Sequence, residues 1–261
     1  MVGHGELVGA PTRQPSRGWW GWDRMSVAGG EGRTVKIASH LEEGRFLERM
    51  NRFAALVRLG GAEVVAHVPN SGRMGELLRP GATVLVARRG PGRATCCDLV
   101  MVQEGTRLVS LDARLPPGLV AEAMLEGRLP ELGRFDRVRR EVRVGQSRLD
   151  LAAEGDSGTI FVETKSVTLV RDGLALFPDA PTSRGARHLL ELRRLAEDGH
   201  GAAVVFVVQR GDGERFRPNV EADSTFAALL REVAGAVLVL AYGCRVTRGE
   251  VAIDRRVPVE L

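Results

Sequence analysis

The apolar positions of this chain change period part-way along it, and the change predicts two architectures in series. Over residues 41–112 they come in short runs broken by turn formers. Residues 46–59 form one long β-prone stretch, Gly60-Gly61 a hairpin turn, and 62–68 the return strand. Pro80-Gly81 launches a strand at 83–87, and Glu104-Gly105 joins strands at 99–102 and 107–111. About five short strands in such a span predict a small barrel of the OB type. Among them, His67-Val-Pro-Asn-Ser-Gly-Arg-Met-Gly-Glu-Leu-Leu reads as a polar loop followed by one or two helical turns.

From residue 113 the period lengthens. Pro116-Pro117 punctuates, and Leu119, Ala123 and Met124 then take helical spacing over 118–126, with Glu122 near the middle. Residues 135–151 are a basic β stretch, and 148–165 reads as a hairpin turning on Glu154-Gly155-Asp156-Ser157-Gly158. Strand-like pieces at 166–170 and 174–177 surround Arg171-Asp172-Gly173. An amphipathic helix follows over 183–197, with Leu189, Leu192 and Leu195 as its stripe and Gly199 as its cap. The unbroken apolar run 202–208 predicts a strand buried on both faces. A helix at 225–233 and a second apolar run at 237–241 complete the series. Strand, helix, buried strand, helix, strand is an α/β mixed sheet with flanking helices, so the whole is α+β joined to α/β.

Composition narrows the class. A chain of 261 residues with 44% hydrophobic and 27% charged residues accommodates two soluble globular domains. No apolar run approaches the roughly 20 residues that span a bilayer, and the N-terminus lacks the order of a secretory signal, so the expected location is cytoplasmic. Cys96, Cys97 and Cys244 fit no zinc spacing and read as reduced, buried thiols. Residues 1–32 are poor in ordered pattern and are expected to form a disordered leader. Trp19, Trp20 and Trp22 within it read either as part of that leader or as a stacking or membrane-surface patch. A net charge of +4 is a modest lean toward polyanions.

The chemistry concentrates between residues 148 and 165. Glu163 and Lys165 are two apart on a strand and project from one face, while Asp150 lies across the hairpin. Two carboxylates and an amine converging at a strand end hold a hard divalent ion and activate a water. The plainer alternative is a solvated strand face. One compositional fact favours the site: of 37 Lys+Arg only Lys36 and Lys165 are lysine. A chain that writes nearly every cation as arginine keeps here the compact head whose pKa moves on burial. The spacing resembles the Asp–x(n)–Glu–x–Lys pattern of the PD-(D/E)xK nucleases, with Leu149 where that family often has proline.

Upstream, Arg137, Arg139, Arg140, Arg143 and Arg148 surround valines and lead to the carboxylates. They read either as a track for a phosphate backbone or as a solvated strand face. In the barrel loop, His67, Asn70, Ser71 and Arg73 form a donor set able to hold a phosphate, or a polar cap that needs no ligand.

Taken together, the ordered motifs resemble the sugar fermentation stimulation protein (SfsA) family. The resemblance runs from about Arg45 to the C-terminus. It is carried by Leu-Glu-Arg-Met-Asn-Arg-Phe (47–53), His-Val-Pro-Asn-Ser-Gly-Arg-Met (67–74) and Glu-Leu-Leu-Arg-Pro-Gly (76–81). Gly-Gln-Ser-Arg-Leu-Asp (145–150), Val-Glu-Thr-Lys-Ser-Val-Thr-Leu-Val (162–170) and Leu-Phe-Pro-Asp-Ala (176–180) continue it. Thr-Ser-Arg-Gly-Ala-Arg-His-Leu (182–189) and Phe-Val-Val-Gln-Arg (206–210) complete it. The resemblance implies an OB-like domain over 41–112, a PD-(D/E)xK nuclease-like domain over 113–261, DNA binding, and Asp150, Glu163 and Lys165 as the active set. Two positions depart from the family pattern: Thr164 replaces a valine, and Ala186 replaces a glutamine.

Two functions follow. The first is a Mg²⁺- or Mn²⁺-dependent phosphodiesterase acting on DNA. Asp150, Glu163, the Thr164 carbonyl and, through the helix, Glu122 would hold the metal, and Lys165 would orient the attacking water. The second is a non-cleaving DNA-binding regulatory protein on the same fold, favoured by the lost glutamine. A small phosphoester substrate is a third, weaker option. DNA is the expected partner, a membrane is not, and the oligomeric state is open.

Overall fold

β-branched runs separated by glycine turns build the first half of the chain into a closed barrel. The structure is a computed structural model that describes residues 35–36, 40–89, 95–145, 147–155 and 158–261; the leader and its tryptophans lie outside them. A short edge strand β1 (Val35–Lys36) belongs to the second half. The barrel strands are β2 (Leu41–Asn51), β3 (Ala54–Leu59), β4 (Ala62–His67), β5 (Thr83–Arg88) and β6 (Cys97–Glu104), with β7 (Arg107–Ser110) extending from β6. Parallel pairing of Ala66 with Cys97 and His67 with Asp98 joins β4 to β6 and closes the ring. Phe46, Val57, Val84, Leu99 and Leu111 fill it.

One expectation here needs correction. Residues 46–59 are not one strand but the hairpin β2–β3. The Asn51 side chain accepts the Phe53 N–H at 2.8 Å, and the Arg49 guanidinium gathers the carbonyls of Asn51, Arg52, Asn70 and Arg73. That arginine turns the chain without glycine or proline. Of the one or two helical turns expected after the polar loop, a single hydrogen-bonded turn forms, in which Leu77 N and Leu78 N both donate to the Met74 carbonyl, and no helix continues it. Met74 has φ +49, outside helical space, and its N–H goes to Asp179 Oδ2 at 3.2 Å.

The second half opens with helix α1 (Pro116–Leu125), whose two prolines sit in its first turn where no N–H is needed. Residues 135–151, read as one stretch, are the strand β8 (Arg137–Val144) and the start of β9 (Ser147–Gly155), with Gly145 at φ +53 between them. β10 (Gly158–Val167) returns antiparallel to β9. Then come β11 (Val170–Arg171), β12 (Leu174–Phe177), α2 (Ser183–Glu197), β13 (Gly201–Val208) and β14 (Arg215–Pro218). Finally α3 (Ser224–Val233) precedes β15 (Leu238–Val246) and β16 (Glu250–Val257).

The main sheet has the order β1-β16-β15-β13-β10-β9-β8, with β10, β13 and β15 parallel at its centre. β11, β12 and β14 form a separate small sheet, which the apolar pattern did not foretell, nor did it foretell β16. Residues 202–208 are all buried, as a strand covered on both faces requires. Leu189, Leu192 and Leu195 of α2 and Phe226 and Leu230 of α3 cover one face. Leu119, Val120 and Met124 of α1, with Leu85 and Met101 of the barrel, cover the other. Barrel and sheet therefore share a core. Of the cysteines, Cys97 and Cys244 are buried as expected, but Cys96 is exposed. No helix among the described residues is long and apolar enough to cross a membrane.

A buried amide joins the halves. Gln209 follows β13 and has no exposed surface. Its Nε2 donates to Ser166 Oγ at 2.8 Å and to the Asp112 carbonyl at 3.1 Å, and its Oε1 accepts from Ser110 Oγ at 3.1 Å. Its main chain adds bonds to Ser110 and Val167. Gln209→Leu keeps the volume but strands those groups, a cost of about 2–4 kcal/mol. For a chain of this size that lowers Tm by roughly 5–15 °C. Thermal unfolding followed by circular dichroism checks it; an unchanged Tm would remove the amide from this role.

Candidate functional site

Glu163, Thr164 and Lys165 lie toward the C-terminal end of β10, on the parallel centre of the sheet, where α/β folds open their crevices. Val162 pairs with Leu151, so one further step of the register sets Glu163 opposite Asp150. The backbone ladder stops there. Instead Asp150 Oδ2 accepts from Thr164 N at 2.9 Å and from Thr164 Oγ1 at 2.7 Å.

A local distortion accompanies that change. Leu149 packs on the α2 face and Leu151 on the α1 face, although residues two apart on a regular strand share a face. β9 therefore rolls over at Asp150. Across from it on β8, Glu141 has φ +54, while its neighbours Arg140 and Val142 pair normally with Leu151 and Leu149. Left-handed backbone at a non-glycine residue costs on the order of 1–3 kcal/mol and collects at functional sites.

Glu163 is 3% exposed. Its Oε1 accepts from Lys165 Nζ and from His188 Nδ1, while its Oε2 is buried without a hydrogen-bond partner. His188 reaches it from the buried stripe of α2. The start of α2 is held by Thr182, whose Oγ1 accepts from Gly185 N at 3.1 Å. Asp223, the cap of α3, in turn accepts from Thr182 N at 2.8 Å.

The two carboxyls are pulled in opposite directions. Burial pushes Asp150 above its ordinary value and the neighbouring Glu163 adds to it, against the Thr164 hydrogen bonds. Burial also works to raise Glu163, but Lys165 and His188 outweigh it and hold that carboxyl below the usual range.

A cleft of about 560 Å³ opens over these groups. Arg52, Phe53, Asn70 and Ser71 of the barrel wall it on one side. Asp150, Glu163, Thr164, Lys165 and Ser166 form its floor, and Asp179, Thr182, Ser183 and Arg184 its far side. The barrel loop docks tightly: a Cβ on Gly72 would collide with the Asp179 carboxylate.

So Asp150, Glu163, Thr164 and Lys165 come together as the spacing suggested. Glu122 does not join them: α1 covers the opposite face of the sheet, and Glu122 is absent from the cleft wall. The four-residue donor set of the barrel loop is dispersed. His67 Nδ1 is bound to Asp98 at 2.8 Å. Asn70 is spent on the Leu111 carbonyl and the Gly72 N–H, Ser71 lines the cleft, and Arg73 is exposed away from it. Arg137, Arg139, Arg140 and Arg143 are exposed on β8, the sheet's edge, where cations also block edge-to-edge pairing. Arg139 is paired with Glu154 at 2.7 Å. Arg148 lines a second recess beside His188. His188 was not singled out from the sequence; a lone histidine inside the leucine stripe of α2 was the available signal. Among the described residues no three His, Cys, Asp or Glu side chains converge to hold a metal ion.

A family model described as the sugar fermentation stimulation protein RE domain matches residues 114–250, and one described as the SfsA N-terminal OB domain matches 47–111. The chain belongs to the SfsA family. Among curated SfsA homologs, a sugar fermentation stimulation protein homolog of Alkaliphilus metalliredigens is 44% identical over 84% of this chain and 97% of its own length. One of Moorella thermoacetica is 42% identical over 87% of this chain and 100% of its own. The solved structure of Pyrococcus furiosus SfsA in complex with Ca²⁺ aligns with a TM-score of 0.81 at 34% identity, covering 87% of this chain and 99% of that one.

The opposed carboxyls make a test of this SfsA member's site. A carboxyl with a raised folded pKa loses stability as pH rises through that value, so Asp150→Asn relieves a penalty present at neutral pH and absent near pH 4. In EDTA the variant should melt a few degrees above wild type at pH 7, and the gain should vanish toward pH 4. Glu163→Gln should do the reverse, because Lys165 and His188 lose their counter-charge. Breaking a buried pair costs about 3–5 kcal/mol. Melting curves at several pH values decide; an Asp150→Asn that melts lower at pH 7 overturns the assignment.

Proposed function

We propose that this protein hydrolyses phosphodiester bonds in DNA at the Asp150–Glu163–Lys165 cluster, with a hard divalent cation, Mg²⁺ or Mn²⁺, as cofactor. The observation that carries the reading is Glu163 Oε2, a buried acceptor with no partner. Glu76 Oε1 and Glu122 Oε2 are likewise unpaired, but only Glu163 Oε2 belongs to a carboxylate beside a second acid, Asp150, in the wall of the cleft, where a bound cation would satisfy it. The carboxylates of Asp150 and Glu163 and the Thr164 carbonyl, which lies beyond the end of the β9 ladder, are hard oxygen donors suited to such an ion. Pyrococcus furiosus SfsA, a relative at 34% identity, is described in complex with Ca²⁺. The acid–acid–lysine spacing also resembles PD-(D/E)xK nucleases. When bound, the cation would polarise a phosphoryl oxygen and acidify a water.

The chain's own groups would do the rest. Lys165, already fixed against Glu163, presents a compact cation to charge developing on the phosphate. His188 holds Glu163 in one rotamer. The barrel wall at Arg52 and Ser71 narrows the cleft and excludes water from one side. A cytoplasmic location, where the chain would meet DNA, goes with this reading.

A second reading, a DNA-binding protein that does not cleave, is favoured by the double neutralisation of Glu163 Oε1 and by Ala186. An assay of single-stranded, duplex, flapped and branched DNA with Mg²⁺ and with Mn²⁺ separates the two. Lys165→Arg should retain DNA affinity and metal-dependent stabilisation but lose at least ~100-fold in cleavage. Wild-type protein that cleaves none of these substrates and gains no Tm from either metal would leave the non-cleaving reading.

A further inference from the structure

Beside the cleft lies a smaller recess of about 250 Å³ lined by Ser147, Arg148, Arg184, Arg187 and His188. Its chemistry is one-sided: three guanidinium groups, a hydroxyl and an imidazole, with no carboxylate in the wall. Arg184 and Arg187 make no ion pair among the described residues, and Arg148 has only an exposed contact with Glu141 at 3.5 Å. Their neighbour Arg194 on the same helix is neutralised, between Glu191 and Asp198, whereas the other unpaired arginines, such as Arg137 and Arg140 of β8, line no such recess.

The placement also opposes helix electrostatics. Arg184 and Arg187 stand three apart in the first turns of α2, where the helix end is partly positive and like charges at that spacing repel. The first turn holds no acidic residue to offset them. An anion seated in the recess meets Arg184, Arg187 and Arg148 at once. Planar guanidinium forks match phosphate oxygens in pairs, and the Ser147 hydroxyl adds a donor. The volume is below the roughly 300–1,000 Å³ of pockets that take whole small molecules. A single phosphate group fits that scale better than a nucleoside.

The recess is not isolated from the carboxylates. Arg184 lines both it and the cleft. His188 stands between, with Nδ1 on Glu163 and Nε2 accepting from Arg184 Nε at 3.5 Å.

We propose that Arg148, Arg184 and Arg187 form a phosphate subsite flanking the reacting position. The identity of its occupant as nucleic acid rests on the phosphodiesterase reading above. The phosphate belongs either to an internal linkage of a strand crossing the cleft or to a 5′-terminal phosphate.

The test is equilibrium binding of fluorescent single-stranded oligonucleotides, 5′-phosphorylated and 5′-hydroxyl, to the full chain in EDTA, where no cleavage occurs. Arg184→Ala/Arg187→Ala should weaken binding at least ~10-fold and flatten the salt slope by about 1.4, two contacts at ~0.7 each. Arg184→Lys/Arg187→Lys should keep the slope and lose part of the affinity, because charge survives and the fork does not. Arg137→Ala/Arg140→Ala removes equal charge from the sheet edge and should flatten the slope less than the recess variant. A preference for the 5′-phosphorylated strand that disappears in the recess variant assigns a terminal phosphate; equal binding of both strands, weakened alike, assigns an internal one. If wild type binds no oligonucleotide but inorganic phosphate raises its Tm and not that of the alanine variant, the subsite stands and the nucleic-acid reading falls. Identical slopes for wild type and the alanine variant, or no phosphate-dependent stabilisation when oligonucleotides also fail to bind, overturn the proposal. Cleavage is read separately with Mg²⁺, so an inactive enzyme that shows the predicted binding changes counts only against hydrolysis.

Discussion

The satisfaction of one buried amide couples the two halves of this molecule. Gln209 meets Ser110 and Asp112 where the chain leaves the barrel, and Ser166 and Val167 where β10 ends. Beside it Arg210, 3% exposed, ties Asp212 and the Thr168 carbonyl to Glu104 of the barrel. Buried polar groups must stay paired. Neither half can slide on the other without unpairing several of them, and the cleft is walled by both. The residues bonded to Gln209 on β10 are Ser166 and Val167, directly after Lys165. The same amide that joins the halves therefore fixes the end of the strand bearing the candidate chemistry.

That strand carries a second constraint. A carboxylate as buried as Glu163 is tolerated because Lys165 and His188 both donate to one of its oxygens. The other oxygen remains unpaired, and Asp150 next to it is driven toward its neutral form. Glu141, left-handed across from Asp150, adds local backbone strain. Unpaired, strained and charge-crowded groups in one place are what a fold selected for stability alone would remove. Their concentration at and beside the floor of the cleft is why function is sought there, and not at the better satisfied His67–Asp98–Arg114 cluster.

Much of this was legible in local pattern. The run of residues 202–208 marked the buried strand, the leucine stripe marked α2, and the pair of strands around Glu154-Gly155 set Asp150 against Glu163. Lys165, one of only two lysines in the chain, stood out against a background of arginine. The misreadings have a common source. The hairpin inside residues 46–59 turns on Arg49, which binds carbonyls as far away as Asn70 and Arg73. After His67 only one hydrogen-bonded turn forms, and it opens at Met74, whose N–H is taken by an aspartate 105 residues away. Glu122 has helical spacing, but spacing says nothing of which face of the sheet its helix covers.

The amino-acid sequence by itself determined the periodicities, the turn residues and the carboxylate pair, because each depends on neighbours within a hairpin or a few helical turns. Tertiary structure alone decided that His188 completes Glu163 across 25 residues, that the barrel loop spends its donors on its own fold, and that three arginines from β9 and α2 share one recess. The physical reason is that burial and charge compensation are set by which faces pack together. That choice belongs to the whole core and leaves no local signature.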